Sequence, residues 1–386
     1  MTEISLSEAR RIALAAQGLA TPDSFGLGLV GAKNAIEHLG YVQIDTISVV
    51  ERAHNHVWWS RVSDFAPATL DRLLAERHIF EFWSHAASYL PMRDYRYSLP
   101  RKKLFKTGER VWFKPTPENL KLKKRIMARI RAEGPLSTRA FAAAEGPKRT
   151  GWWDWKPAKK ALEQLLMEGR LMISARHGFQ KFYDLTERVL PEGIDTRLPS
   201  PSEYARHLTA STVRAHGLIR ADEIAYLRPS LRADVTRACA QMLREGELEE
   251  LRVHGMDRPY FAARGKWQDL VQSALTDRMQ ILSPFDNHLI QRKRLKELFG
   301  FAYTIECYVP EPKRRYGYFT LPVLHGDRFA GRLDAKAERA RGALSVRSLH
   351  AEPGTVRKPE LWRRAQPALK AFARFNGCEL LEKSFR

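Results

Sequence analysis

Cysteine is nearly missing from this chain. Its 386 residues hold three, Cys239, Cys307 and Cys378. They are widely separated and form no CxxC pair, which excludes a disulfide framework and a cysteine-based zinc site. No apolar run approaches the roughly 18 residues that a spanning helix needs. The opening residues, Met1-Thr2-Glu3-Ile4-Ser5-Leu6-Ser7-Glu8, do not form a secretory signal. A cytoplasmic protein without a membrane partner is expected. Acidic residues are also scarce, 44 against 65 Lys and Arg, giving a net charge of +21 and a pI near 10.0. That imbalance points to a polyanionic partner, nucleic acid or an anionic surface, against the plainer reading of a generally basic protein. Metal ligands are sparse too. His54 and His56 form an HxH pair, but no acidic or cysteine partner stands at ligand spacing, so no metal and no cofactor is expected.

A nucleotide fingerprint is present only in letters. Gly26-Leu27-Gly28-Leu29-Val30-Gly31 matches GxGxxG, yet residues 18–25 read as a loop, where the fingerprint needs a buried strand. The stretch reads as a connection between helices.

The sharpest local signal is Tyr41-Val42-Gln43-Ile44-Asp45-Thr46. It follows a helical pattern over residues 33–39 that stops at Gly40, and its alternation predicts a short strand. Residues two apart share a face, so Gln43 and Asp45 are expected side by side. A carboxylate can take a proton from water or stabilise a developing cation, and a neighbouring carboxamide can orient that water. The plainer reading is two solvent-facing residues on an edge strand.

Residues 5–17 read as a helix with Ser5 and Glu8 as a capping box. Residues 67–77 are again helical, and residues 80–90 read as strand and turn. Between residues 93 and 131 there are 14 Lys or Arg against Asp94, Glu109 and Glu118. Tyr95, Tyr97, Phe105, Trp112 and Phe113 are interleaved with them. Cations neutralise phosphates and aromatics stack on bases, so this is a candidate nucleic-acid surface. The alternative is a solvated face whose aromatics belong to the core.

An internal repeat organises the middle of the chain. Leu166-Met167-Glu168-Gly169-Arg170-Leu171 recurs 77 residues later as Leu243-Arg244-Glu245-Gly246-Glu247-Leu248. His177-Gly178 matches His254-Gly255, and Tyr183 matches Tyr260, at the same offset. Each copy reads as helix, strand, tight turn and strand, preceded by further helices: the winged helix-turn-helix order. The first copy has extra residues, placed in the loop 146–153. Beyond Pro284, residues 301–309 and 316–321 alternate as strands with Lys313-Arg314-Arg315 at a hairpin tip. Further strands are expected at 328–333 and 343–349, and a helix at 359–375.

Together these features resemble the YcaQ/AlkZ proteins, winged-helix DNA glycosylases acting on alkylated bases and interstrand crosslinks. The resemblance covers nearly the whole chain. It rests on Gln43-Ile44-Asp45, Phe82-Trp83-Ser84-His85-Ala86-Ala87-Ser88, Ser283-Pro284-Phe285-Asp286-Asn287 and Lys313-Arg314-Arg315-Tyr316-Gly317-Tyr318. It implies an α+β fold: three tandem winged-helix domains (1–115, 116–192 and 198–268) and a C-terminal antiparallel β domain with a closing helix (280–386). It further implies a monofunctional glycosylase, Gln43 and Asp45 catalytic, that excises N7-alkylated purines and unhooks crosslinks in double-stranded DNA. The Asp form of the motif matches the YcaQ (AlkX) branch. His54, Arg52, His85 and Ser88 are candidates to line the site, with structural hydrogen bonding the alternative for the histidines. Arg61, Arg101, Lys102, Lys103, Lys106, Lys313, Arg314 and Arg315 are candidates to contact DNA. Nothing requires more than a monomer. The rival functions are a winged-helix transcription regulator without catalysis and an RNA-binding factor.

Overall fold

The computed structural model describes residues 2–114, 116–144 and 157–384. The fold is mixed α+β, and the chain divides into two compact units, Met1–Pro67 with Pro201–Arg386, and Ala68–Ser200. Among the described residues no helix is long and apolar enough to cross a membrane.

In the larger unit the first helix, Leu6–Ala16, begins where its sequence signals it. Ser5 Oγ accepts the Glu8 N–H at 3.1 Å and the Glu8 carboxylate accepts the Ser5 N–H at 2.7 Å. Such a cap contributes about 1 kcal/mol. Ala9, Ile12, Ala13 and Leu14 on its inner face are buried in one core with Leu218, Leu251 and Tyr260. These come from a sheet ordered Thr2–Ile4, Leu248–Val253, Tyr260–Ala263, Leu218–Ile219, with Thr2–Ile4 joined in parallel.

The second sheet has the order Gln280–Ile281, Leu321–His325, Arg328–Glu338, Ala343–Ala351, Leu380–Lys383. Its last pairing is parallel and the others antiparallel. The closing helix, Lys358–Phe375, lays Leu361, Leu369 and Phe372 into the core of this sheet. Each such side chain stabilises by about 1.5–3 kcal/mol when fully buried.

The repeat is visible as two sets of elements in the same order. One is Pro117–Glu133, Leu136–Ser137, a 3-10 turn, Pro157–Met167, Leu171–His177 and Gln180–Leu185. The other is Pro201–His216, Leu218–Ile219, Ala221–Ile224, Arg232–Arg244, Leu248–Val253 and Tyr260–Ala263. Gly178 and Gly255, at equivalent turns, both adopt positive φ (59° and 79°), which a side chain rarely tolerates. The expected insertion at 146–153 lies outside the described residues.

Three expectations need correction. The strand expected over residues 41–46 is confined to Val42–Gln43. Asp45 ends it by accepting the Ile47 N–H on its own carboxylate at 2.8 Å, an Asx turn that competes with strand pairing. Residues 301–320 contain no strand, so Lys313-Arg314-Arg315 is not a hairpin tip. Glu306 folds this segment into a loop instead, its carboxylate accepting the N–H groups of Arg315 (3.0 Å), Tyr316 (2.8 Å) and Gly317 (3.0 Å). The helix expected to start at residue 33 starts at Gly28, within the GxGxxG stretch. Asp64 closes its N-terminal end, accepting the Gly28 N–H at 2.9 and 3.1 Å, so the position a phosphate would take holds a carboxylate.

Candidate active site

Residues 41–51 form a largely irregular segment of the larger unit, held by groups from the far end of the chain. Asn287 Nδ2 donates to the Tyr41 carbonyl at 2.9 Å. The Ala337 N–H donates to the Val49 carbonyl at 2.9 Å. Arg339 donates to the carbonyls of Ser48 (3.1 Å) and Val50 (3.0 Å). Asn376 Oδ1 accepts the Glu51 N–H at 2.6 Å. Val50 is fully buried in the core of the five-stranded sheet, and Ile47 and Val49 pack on that core. The segment is thus anchored at Tyr41 and again over residues 47–51, and Asp45 lies between these fixed ends.

Asp45 is half-buried. Burial raises its carboxyl above the ordinary value, opposed by the N–H groups of Ile47 and Thr46. Among the described residues no Lys or Arg forms an ion pair with it. A carboxylate near water, partly desolvated and not neutralised by a cation, is suited to proton transfer and to stabilising positive charge. Its field reaches the loop that Glu306 braces. Burial raises the Cys307 thiol, with the Asp45 charge adding to it, and the Tyr308 hydroxyl rises from burial, Cys307 and Asp45 together. Tyr308 is 78% exposed, an aromatic presented to solvent. Sequence reasoning missed Cys307 and Tyr308, because the influence of Asp45 on them depends on a loop fold that the alternating pattern disguised.

Gln43, half-buried, closes the short strand two residues before Asp45. Arg52 precedes the helix Ala53–Trp59, its N–H bonded to Glu51 Oε1 at 2.9 Å. His54 lies inside that helix at 4% exposure, which leaves it little surface for lining a site. His56, its partner in the HxH pair, is committed to the core. Its Nε2 donates to the Ile281 carbonyl at 2.8 Å, and burial lowers its pKa to about 4.

Arg61, expected on DNA, is a core residue, 1% exposed. Its guanidinium forms a two-pronged ion pair with Asp286 at 2.7 and 2.9 Å and also donates to the Gln17 carbonyl at 2.7 Å. Burial raises the Asp286 carboxyl, but Arg61, with the His288 N–H and ring, holds it below the ordinary range. A cation so enclosed does not reach a phosphate. The stretch Ser283-Pro284-Phe285-Asp286-Asn287 thus acts as a structural clamp, Asp286 neutralising Arg61 and Asn287 holding Tyr41. In the C-terminal loop Lys313 and Arg315 are exposed, whereas Arg314 turns back, donating Nε to the Val309 carbonyl at 2.9 Å.

The remaining candidates belong to the unit Ala68–Ser200. His85, half-buried, lies in the turn between Ile79–Trp83 and Ala87–Pro91. Ser88 is fully buried and donates to the Ala86 carbonyl at 3.0 Å, so it lines no site. Lys102, also expected on DNA, is 4% exposed. Its ammonium lies 3.8 Å from the ring centre of Tyr95 and 4.7 Å from that of Phe82, and burial drives its pKa well down. Lys103 and Lys106, on the same helix, are exposed, and Arg101 lies 5.4 Å over the Trp83 ring. Tyr95 and Phe105 are buried, so these two aromatics of the basic region serve the core.

A sequence model described as DNA glycosylase AlkZ-like matches residues 36–375. Among solved structures, the Streptomyces sahachiroi DNA glycosylase AlkZ superposes with a TM-score of 0.63 at 16% identity, covering 100% of both chains. That likeness concerns the fold, and the family match spans the segment carrying Gln43 and Asp45.

Proposed function

The chain belongs to the AlkZ-like DNA glycosylase family, and from that premise we propose that Asp45 and Gln43 are its catalytic pair, hydrolysing the N-glycosidic bond of N7-alkylated purines and unhooking interstrand crosslinks. The protein is a DNA-repair glycosylase, which displaces the reading as a regulator without catalysis. The observation that carries the proposal is the half-buried Asp45 carboxylate, on a segment clamped at both ends, with no ion-pair partner among the described residues.

Alkylation at N7 leaves guanine positively charged, so the base departs with the electrons of the C1′–N9 bond and becomes neutral. The protein need not protonate it. The sugar becomes oxocarbenium-like, and Asp45 stabilises that charge and accepts the proton of the water that attacks C1′. Gln43 orients the water. No lysine nucleophile is needed, so the enzyme is monofunctional. A crosslinked base cannot be flipped fully into a closed pocket, and a carboxylate only half-buried on an irregular segment suits such a substrate. The exposed cations Lys103, Lys106, Lys313 and Arg315 are proposed as phosphate contacts, with Arg101 and Arg314 placing the chain around them.

The same reading takes the repeated elements as winged helices, with domains at 1–115, 116–192, 198–268 and 280–386 and a cytoplasmic monomer as the working form. The twofold recurrence of helix, short strand, turn, helix and hairpin supports it.

The test is base release from duplexes carrying N7-methylguanine or a nitrogen-mustard crosslink. Wild type releases the base, and Asp45→Asn is slowed by roughly 10²–10⁴-fold while binding the duplex as before. Equal rates for both proteins would remove Asp45 from the mechanism.

A further inference from the structure

The larger unit contains a cavity of about 720 Å³ that no residue of 41–51 lines. Its walls come from four places in the chain. The first helix supplies Arg10, the loop braced by Glu306 supplies Arg315 and Tyr316, the strand Arg328–Glu338 supplies Arg328 and Arg332, and residues after Ala343–Ala351 supply Glu352. Four arginines thus meet two carboxylates.

Both carboxylates are already engaged. Glu352 accepts from Arg332 at 2.5 and 3.3 Å, and Glu306 accepts the three backbone N–H groups of its loop. The Arg332 guanidinium lies between Phe301 (4.4 Å) and Tyr316 (4.3 Å), a fixed floor to the cavity. The other three cations are not neutralised in the same way. Asp327 stands 3.9 Å from Arg10 and 3.8 Å from Arg328, outside hydrogen-bonding distance of either. Arg315 lies over the Tyr316 ring at 4.9 Å, and among the described residues no carboxylate pairs with its side chain. Arg328 keeps 67% of its side chain exposed.

Arg10 and Arg328 share the one carboxylate of Asp327, and Arg315 has none among the described residues. The three guanidinium groups thus keep an excess of positive charge around a concavity of nucleotide size, which suits an anion with several oxygens in fixed geometry. A phosphate ester has that form. Its source is indicated by the loop. Glu306 lines the cavity, and the next two residues, Cys307 and Tyr308, lie in the field of Asp45. One short segment therefore runs from the cavity wall at Glu306 to residues that feel the Asp45 charge.

We propose that this cavity receives a backbone phosphate of the DNA strand leaving the Asp45 site, held by Arg10, Arg315 and Arg328. The inference rests on the DNA-glycosylase reading and adds two phosphate contacts, Arg10 and Arg328, that lie far in sequence from the basic runs. A free nucleotide offers the same phosphate chemistry, so the test separates the two sources.

Duplex binding is measured by fluorescence anisotropy across a salt series for wild type, Arg315→Ala, Arg328→Ala and, as a control of equal charge change, Lys370→Ala on the exposed face of the closing helix. Each arginine variant should weaken binding several-fold and lower the slope of log K against log salt by about 0.9, one phosphate lost. Lys370→Ala should leave the slope unchanged. Wild-type slopes in both arginine variants, or an equal drop with Lys370→Ala, overturn the proposal. Deoxyadenosine monophosphate is titrated calorimetrically in parallel. Its capture by wild type and loss in Arg328→Ala, with duplex slopes unaltered, would assign the cavity to free nucleotides and overturn the DNA assignment. The binding readout needs no turnover, so it stands apart from any failure of base release.

Discussion

Replacing Asp286 by Leu removes the only carboxylate among the described residues that neutralises Arg61. An exposed ion pair contributes at most about 1 kcal/mol, but here neither side chain has exposed surface, and the two contacts measure 2.7 and 2.9 Å. The stranded guanidinium would keep the Gln17 and Val57 carbonyls, at 2.7 and 2.9 Å, yet its charge would lie in the core without compensation. Breaking one side of such a pair costs about 3–5 kcal/mol, two to four decades in the folded-to-unfolded ratio. Part of this is the cap that Asp286 provides to the His288 N–H at 2.9 Å. Arg61→Met should cost a similar amount by leaving Asp286 alone. The double variant Arg61→Met/Asp286→Leu removes both charges and should cost less than either single change. Urea unfolding followed by tryptophan fluorescence reads all four proteins, since Trp58 lies in the adjacent helix with its indole N–H on the Ala32 carbonyl at 2.9 Å. Single variants within 1 kcal/mol of wild type, or a double variant equal to the sum of the singles, would refute the reasoning. So would a salt slope for duplex binding that falls by one phosphate in folded Arg61→Met, because that places Arg61 on DNA.

Activity should depend on pH through Asp45. Its carboxyl is raised by burial, so base release should fall on acidification at a pH above the ordinary carboxylate range, and a kcat profile flat down to pH 4 would contradict this. Stability should fall in acid through two buried histidines. His56 and His288 titrate near 6.5 when unfolded but are lowered to about 4 and about 3 by burial, so they stabilise the fold fully above pH 6.5 and less as pH drops toward those values. Between pH 7 and pH 5 each costs about 2 kcal/mol. Urea midpoints should show the loss, and His288→Leu, at a side chain packed against the Phe299 ring at 4.8 Å, should remove about half of it. Asn287→Ala frees the Tyr41 carbonyl and should lower kcat more than it changes KM, whereas an unchanged kcat would show that the clamp does not position Asp45.

What the sequence made legible was local. The Ser5–Glu8 capping box, the repeat landmarks at Gly169 and Gly246, and the closing helix each depend on residues within a few positions of one another. Burial of Arg61 was not legible, since its partner Asp286 lies 225 residues away and nothing around Arg61 distinguishes it from a surface cation. Lys102 misled for a related reason. It sits in a run of exposed lysines, but helical periodicity turns it onto the aromatic rings of Tyr95 and Phe82. The two strand errors share one cause. At Asp45 and at Glu306 a side-chain carboxylate takes backbone N–H groups that a strand would have paired, and a pattern of apolar alternation carries no record of that competition.

The clamp on residues 41–51 also sets when the enzyme can first exist. Glu51 waits for Asn376, 325 residues further on, and ribosomes add roughly 5–20 residues each second, so Asp45 emerges on the order of tens of seconds before its last anchor is made. A nascent chain halted before the closing helix carries the proposed catalytic pair without the geometry. Premature termination should therefore yield inert protein rather than a loosely controlled nuclease-like fragment. Base release is thereby tied to a chain synthesised at least as far as Asn376.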